Sequence, residues 1–117
     1  MTRTTKADGA AAVLDKVAEW PSEMRALGEA LHSTIVEAVP ELKPKLWYGM
    51  PGYATTGPVL CFFRNDDGFF SFGLTEKAHF AIADGAPDQL IPTAWTLTSI
   101  DDPTRERITD ILRTAVG

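Results

Sequence analysis

The chain has 117 residues, of which 44% are hydrophobic and 23% charged, and its formal net charge is −5. This length suits one domain, predicted to span residues 1–117, and the composition excludes disordered and fibrous classes. With 11 basic residues scattered among 16 acidic ones, no nucleic-acid partner is predicted, and the short apolar runs exclude a membrane partner.

A cytoplasmic location is expected from the N-terminus and the cysteine count. Residues 1–14 contain too short an apolar stretch for a signal peptide, and Cys61 is the only cysteine, so no internal disulfide can form. The first seven residues are small and polar and are predicted to be disordered.

Two N-terminal helices are predicted, over Asp8–Glu19 and about 21–39. The second carries a clear apolar stripe at helical spacing, made of Met24, Leu27, Leu31, Ile35 and Ala38. Pro40 ends it. Because only Trp20 lies between the two patterns, we expect a helix hairpin.

Strand chemistry dominates the middle of the chain. The predicted strands are 45–49 (KLWYG), 59–64 (VLCFFR), 69–74 (FFSFGL) and 94–100 (AWTLTSI). The segment Asn65–Gly68 predicts a hairpin turn. The strands at 59–64 and 69–74 are apolar on both faces, so a helix, a loop, a ligand or another subunit is expected to cover the second face.

Two more helices complete the predicted order α-α-β-β-β-α-β-α. A short one is expected over 75–83, capped by Thr75, and a C-terminal one opens at Asp102-Pro103. The predicted fold is therefore α+β and two-layered, with an antiparallel sheet of about four strands packed against the helix hairpin and the C-terminal helix.

Catalytic groups are scarce in this sequence. Cys61 lies in an apolar run typical of a buried thiol, and His32 and His79 have no metal-ligand spacing. No phosphate-binding, dinucleotide-binding or nucleophile-elbow motif occurs. An enzyme is therefore the less favoured class.

Acidic residues form a row and a pair at helical spacing. Asp102, Glu106 and Asp110 share one face of the last helix, and Asp15 and Glu19 make a similar pair on the first. A solvated helix face accounts for both, and weak binding of a hard cation such as iron or magnesium is the alternative.

The stretch KLWYGMPGY, residues 45–53, is the most distinctive in the chain. Pro51 cannot donate to a strand ladder, so strand pairing is expected to break at Met50-Pro51. Gly52 is then expected to make the sharp turn toward Tyr53. Whether these aromatic side chains form a binding site or belong to the core stays open.

The order of these features resembles the YdhG-like family of small bacterial domains. The resemblance covers most of residues 12–116. It rests on "IVEAVPELKPKLWYGMPGY", "GPVLCFF", "GFFSFGL" and "WTLTSIDD". Some members are similar to frataxin in architecture and are described as intracellular iron chaperones, so the resemblance implies iron delivery as one candidate function.

Three functional hypotheses follow. The first is a non-enzymatic binding module for a small molecule, with a pocket formed by Trp47, Tyr48, Met50, Tyr53, Arg64, Phe72 and Trp95. The second is an iron-binding chaperone whose metal ligands are Asp15, Glu19, Asp102, Glu106 and Asp110. The third is a homodimerisation or protein-docking module that uses the second sheet face.

Overall fold

The computed structural model describes residues 6–80 and 84–117. Within them the helices are α1 (Lys6–Ala18), α2 (Ser22–Ala38) and α3 (Asp102–Val116). The strands are β1 (Lys43–Trp47), β2 (Met50–Ala54), β3 (Cys61–Asp66), β4 (Phe69–Leu74) and β5 (Ala94–Thr96). Residues 1–5 and 81–83 lie outside the described part. Residues 1–5 make up most of the segment that was predicted to be disordered.

The five strands form one antiparallel sheet in the order β1-β2-β3-β4-β5. Two of the connections are tight hairpins: Trp47 pairs with Met50, and Asp66 pairs with Phe69. The second of these was predicted from Asn65–Gly68. The predicted α+β class with helices on an antiparallel sheet is confirmed, with one strand more than expected.

A helix layer packs on one face of the sheet, here called the helix face. Trp20, which follows α1, packs edge-on against Phe63 and Phe70. α2 contributes Leu31 and Ile35, which are fully buried. The core also includes Val13, Val17, Leu27, Leu42, Tyr53, Cys61, Phe72, Ile108 and Leu112. α1 additionally lies against the edge strand β1, where Gly9 meets the backbone of Pro44 without room for a side chain.

The prediction for residues 45–53 was wrong in where the chain turns. The turn falls at Tyr48-Gly49, which both have positive φ (52° and 76°), as a two-residue hairpin turn requires. Pro51 and Gly52 lie inside β2 and pair with Leu46 and Lys45. Trp47 and Met50 close this hairpin, and in such a hairpin the next pair, Leu46 and Pro51, forms no hydrogen bond between the strands. Pro51 therefore needs no N–H group directed toward β1.

The helix predicted over 75–83 is absent from residues 75–80. The Thr75 hydroxyl donates to the Val59 carbonyl and accepts from the Lys77 N–H. The His79 N–H then donates to the carbonyl of Ala115 at the end of α3. These bonds to distant backbone replace a continuing helical ladder.

The last strand is shorter than predicted, because β5 ends at Thr96 rather than at residue 100. The Leu97 N–H still donates to the Phe70 carbonyl, but β4 begins at Phe69 after the hairpin turn, so no partner strand continues. The final helix begins at Asp102, as predicted, but its N-cap is Asp101 and not Asp102: the Asp101 carboxylate accepts from the Thr104 N–H at 3.0 Å, and Pro103 lies in the first turn. None of the helices in the described residues is long and apolar enough to cross a membrane.

Candidate functional site

The sheet divides the predicted ligand-binding residues between its two faces. Side chains of directly paired residues share a face, and successive residues alternate. The pairs Lys45–Gly52, Gly52–Phe62 and Phe62–Gly73 therefore define the face opposite the helix face, called here the outer face. Trp47, Met50 and Arg64 lie on the outer face, whereas Tyr53, Phe72 and Trp95 lie on the helix face. A single pocket formed by all seven residues is therefore not present in the structure.

A run of three aromatic rings forms one end of the outer face. The Trp47 ring lies 5.2 Å from the Phe62 ring across β2, with the planes inclined by 42°. Tyr48 packs edge-on against Trp47, with ring centroids 4.9 Å apart, although its side chain is 86% exposed. We call these three rings the aromatic row. Face-to-edge contacts of this kind hold the rings in place.

Two glycines let the aromatic row lie directly on the backbone of the sheet. A Cβ added at Gly52 would meet the Cβ of Trp47 at 2.9 Å, and one added at Gly73 would meet the Phe62 ring at 2.8 Å. Gly in a strand interior often marks a close approach of this sort. The rings are therefore supported from below while their upper side faces away from the helices.

Cations border the outer face. Lys43 and Lys45 lie on the same side of β1 as Trp47, and Arg64 lies next to Phe62 on β3. One acidic side chain, Asp66, accompanies them and lies 3.5 Å from the Arg64 guanidinium. Beside Arg64, a shallow groove of about 330 Å³ runs over β3, β4 and β5, lined by Phe62, Arg64, Phe69, Ser71, Ala94 and Thr96 among others.

Tyr53, by contrast, is part of the core. Its hydroxyl lies 2.8 Å from Nδ1 of His32, and its ring stacks on Phe63. Burial raises the pKa of Tyr53 and lowers the pKa of His32, so burial favours the neutral form of both side chains. Burial also raises the pKa of the Cys61 thiol, as expected of a structural rather than a nucleophilic cysteine.

Trp95 and Phe72 belong to a separate region beneath α3. Their rings stack with centroids 5.7 Å apart, and Trp95 borders two cavities of about 310 and 370 Å³ between β5 and α3. Both cavities are also lined by Arg107 and Ile111.

The predicted metal ligands do not assemble into a site. In residues 6–80 and 84–117, no group of three or more His, Cys, Asp or Glu side chains could hold a metal ion. Asp15 and Glu19 lie on α1, and Glu19 pairs with Lys16 at 3.7 Å. Asp102 pairs with Arg105 at 3.3 Å, while Glu106 and Asp110 are exposed.

Sequence reasoning missed several outer-face residues, namely Lys43, Lys45, Phe62 and Phe69. The alternation of side chains along β3 does place Phe62 and Phe63 on opposite faces of the sheet. Placing Phe62 beside Trp47, however, requires the register between strands, which a tight turn at Tyr48-Gly49 sets. The signal that could have found this turn is the Gly49 that follows Tyr48 between two apolar segments.

Comparisons with protein-family models, with curated proteins and with solved structures found no match to the chain. The resemblance to the YdhG-like family therefore stays a prediction.

Proposed function

We propose that the protein is a docking module whose outer face binds a short acidic segment of another protein that carries apolar side chains. The observation that carries this proposal is the aromatic row, which lies on the face away from the helices and is bordered by cations. Exposed apolar surface bordered by polar groups is typical of interaction sites.

The exposure of the rings supports binding rather than packing. Phe69 is 55% exposed and Tyr48 is 86% exposed, while Trp47 and Phe62 are each partly exposed and contact each other. Aromatic side chains held rigidly at a surface bind with little loss of conformational freedom. They are also the residues that contribute most to binding free energy.

The charge of the outer face indicates the chemistry of the partner. It carries three of the chain's 11 basic residues and one of its 16 acidic residues, in a protein whose formal net charge is −5. A segment with a few carboxylates complements this face. A nucleic acid fits less well, because three cations offer few phosphate contacts and the remaining charge repels a polyanion.

The size of the outer face favours a short segment over a second copy of the chain. Five strands about 4.8 Å apart, with up to six residues at about 3.4 Å each, give a face on the order of 400 Å². A stable dimer usually buries about 800 Å² on each partner. Two copies meeting face to face would also bring together two faces that each carry three cations and one carboxylate.

The test is nuclear magnetic resonance titration with a synthetic probe. The probe is a ten-residue peptide in which Glu alternates with Leu and Phe, and its control has Gln in place of every Glu. We expect shifts of the Trp47 indole and of the Phe62 and Phe69 amides, with binding about tenfold weaker for the Gln peptide. Affinity should also fall as salt rises.

Two variants make the test specific to this face. Trp47→Ala should reduce peptide affinity at least about tenfold. Leu90→Ala, which removes a side chain 82% exposed on the loop before β5, should leave it unchanged. Equal effects of the two variants, or equal binding of the two peptides, would contradict the proposal. So would a concentration-dependent dimer in light scattering that Trp47→Ala abolishes, since a second copy would then occupy the face.

A further inference from the structure

A second candidate site lies on the opposite side of the sheet, between β5 and α3. It is a cavity of about 310 Å³, here called the α3 groove, lined by Phe72, Trp95, Leu97, Arg107, Ile108 and Ile111 among others. This volume falls at the small end of the range found for ligand pockets. The α3 groove shares no residue with the aromatic row, although Phe72, Trp95 and Thr96 at the edge of the sheet also line the groove on the outer face.

The wall of the α3 groove is preformed. Phe72 is 1% exposed and stacks against Trp95 with ring planes inclined by 24°, so a buried ring fixes the orientation of an accessible one. Across the groove, Ile108 is buried and Ile111 is half-buried on the neighbouring turn of α3. The groove therefore offers a flat aromatic side and an aliphatic side.

Arg107 supplies the charged group of the groove. In the described part of the chain, Arg64 and Arg105 each pair with an aspartate, whereas Arg107 forms no ion pair. Asp110 lines the adjoining cavity of about 370 Å³ but not the α3 groove. The guanidinium of Arg107 is thus available at an apolar groove without a carboxylate lining it.

We propose that the α3 groove binds a small apolar molecule that carries one carboxylate, with Arg107 pairing with the carboxylate and Trp95 contacting the apolar part. Arg presents a planar pair of N–H donors that matches a carboxylate. The stacked ring of Trp95 provides contact area for a flat or aliphatic body. Thr104, whose hydroxyl donates to the Asp101 carboxylate, also lines the groove.

The test compares two probes that differ only in charge: 4-phenylbutyrate and its neutral amide. Titration monitored by nuclear magnetic resonance should shift the Trp95 indole and the Ile108 and Ile111 methyls with the acid. The amide should bind about tenfold more weakly, because it cannot form the charge-assisted pair. Equal affinity of the two probes, or shifts confined to other residues, would overturn the proposal.

Variants on one helix supply the matched control. Arg107→Gln should remove the tenfold preference for the acid, while Arg105→Gln, an exposed arginine two residues away that pairs with Asp102, should retain it. A preference that survives Arg107→Gln would overturn the role of Arg107. The Trp47→Ala variant should leave probe binding unchanged, so failure of this proposal is distinguishable from failure of the docking function.

Discussion

The two faces of the sheet carry similar aromatic side chains but use them differently. On the helix face, Tyr53, Phe63, Phe70 and Phe72 are each no more than 1% exposed, and helices or segments joined to them pack over these rings. On the outer face, Trp47 and Phe62 contact each other above two glycines, and the described helices lie on the other side of the sheet.

The aromatic rings of the two faces are chemically similar, but they pack against different parts of the protein. Rings of the helix face fill the space between two layers, so removing one leaves a cavity. On the outer face, the Cβ of Trp47 lies over Gly52 and the tip of the Phe62 ring lies over Gly73. We therefore expect substitutions on the helix face to change stability, and substitutions of exposed outer-face rings to change binding.

The largest expected effect contrasts two phenylalanines on neighbouring strands. Phe63→Ala should lower the free energy of unfolding by about 3–5 kcal/mol, because it opens a cavity in a fully buried cluster. Phe69→Ala should change it by no more than about 0.5 kcal/mol, since that ring is 55% exposed. Urea denaturation followed by circular dichroism measures both.

For affinity to the acidic peptide the order should be reversed: Phe69→Ala should weaken binding more than Phe63→Ala does. A Phe69→Ala protein with wild-type stability and reduced affinity for the acidic peptide separates the two roles. If Phe69→Ala destabilised the fold as much as Phe63→Ala, the outer face would be part of the core rather than a free surface.

The next effect concerns the glycines beneath the aromatic row. Gly52→Ala should destabilise by about 1–3 kcal/mol, because the new methyl would meet the Cβ of Trp47 and a methyl of Val59, which cannot move away easily. Gly73→Ala should cost less, since its contact is with the far end of the Phe62 ring.

A double-mutant cycle checks the second of these costs. Adding Phe62→Ala should remove the penalty of Gly73→Ala, because the clashing ring is gone. A penalty that persists in the Phe62→Ala background would mean that the backbone, not the ring, requires glycine at this position.

A pH effect is expected on the helix face. Burial lowers the pKa of His32 in the folded state below its ordinary value near 6.5, so the unfolded chain binds a proton more readily than the folded one. The free energy of unfolding is therefore highest above about pH 6.5. It falls as the pH drops through that value toward the lower pKa of His32 in the folded state. Thermal unfolding between pH 5 and pH 8 measures it.

His32→Gln should flatten that dependence between pH 5 and pH 6.5, and His79→Gln, an exposed histidine, should not. Protonation would make Nδ1 a donor, so the Tyr53 hydroxyl 2.8 Å away would have to accept that hydrogen bond. A stability profile that His32→Gln leaves unchanged would place the titrating group elsewhere.

Much of the fold was predictable because local patterns agree with it. The stripe on α2, the Asp–Gly turn after β3 and the Asp–Pro start of α3 each specify their own element. β2 was missed because Pro51 and Gly52 usually interrupt strands. Here the tight turn places Pro51 where no hydrogen bond to β1 is needed.

The candidate site was predictable only in part, because it depends on register. Trp47, Tyr48, Met50 and Arg64 do gather at the outer face. Tyr53 follows Met50 by three residues and therefore points to the other face. The sequence also indicated that something covers a second apolar face, and the loop residue Val59, which is 3% exposed, does lie over Gly52 there, whereas Trp47 and Phe62 stay partly exposed.

The smallest expected effect concerns the turn that carries Tyr48 to the end of the aromatic row. Tyr48 has a φ of 52°, a left-handed conformation that costs most residues about 1 kcal/mol but that Asn tolerates. Tyr48→Asn and Tyr48→Ala both remove the ring contact with Trp47, so their difference isolates the backbone. We expect the Asn variant to be more stable by about 1 kcal/mol, measured by urea denaturation. The same difference is expected between Asp67→Asn and Asp67→Ala, since Asp67 occupies the matching position of the second hairpin with a φ of 53°. Equal stability of Tyr48→Asn and Tyr48→Ala would mean that the first turn does not hold Tyr48 in the left-handed region in solution.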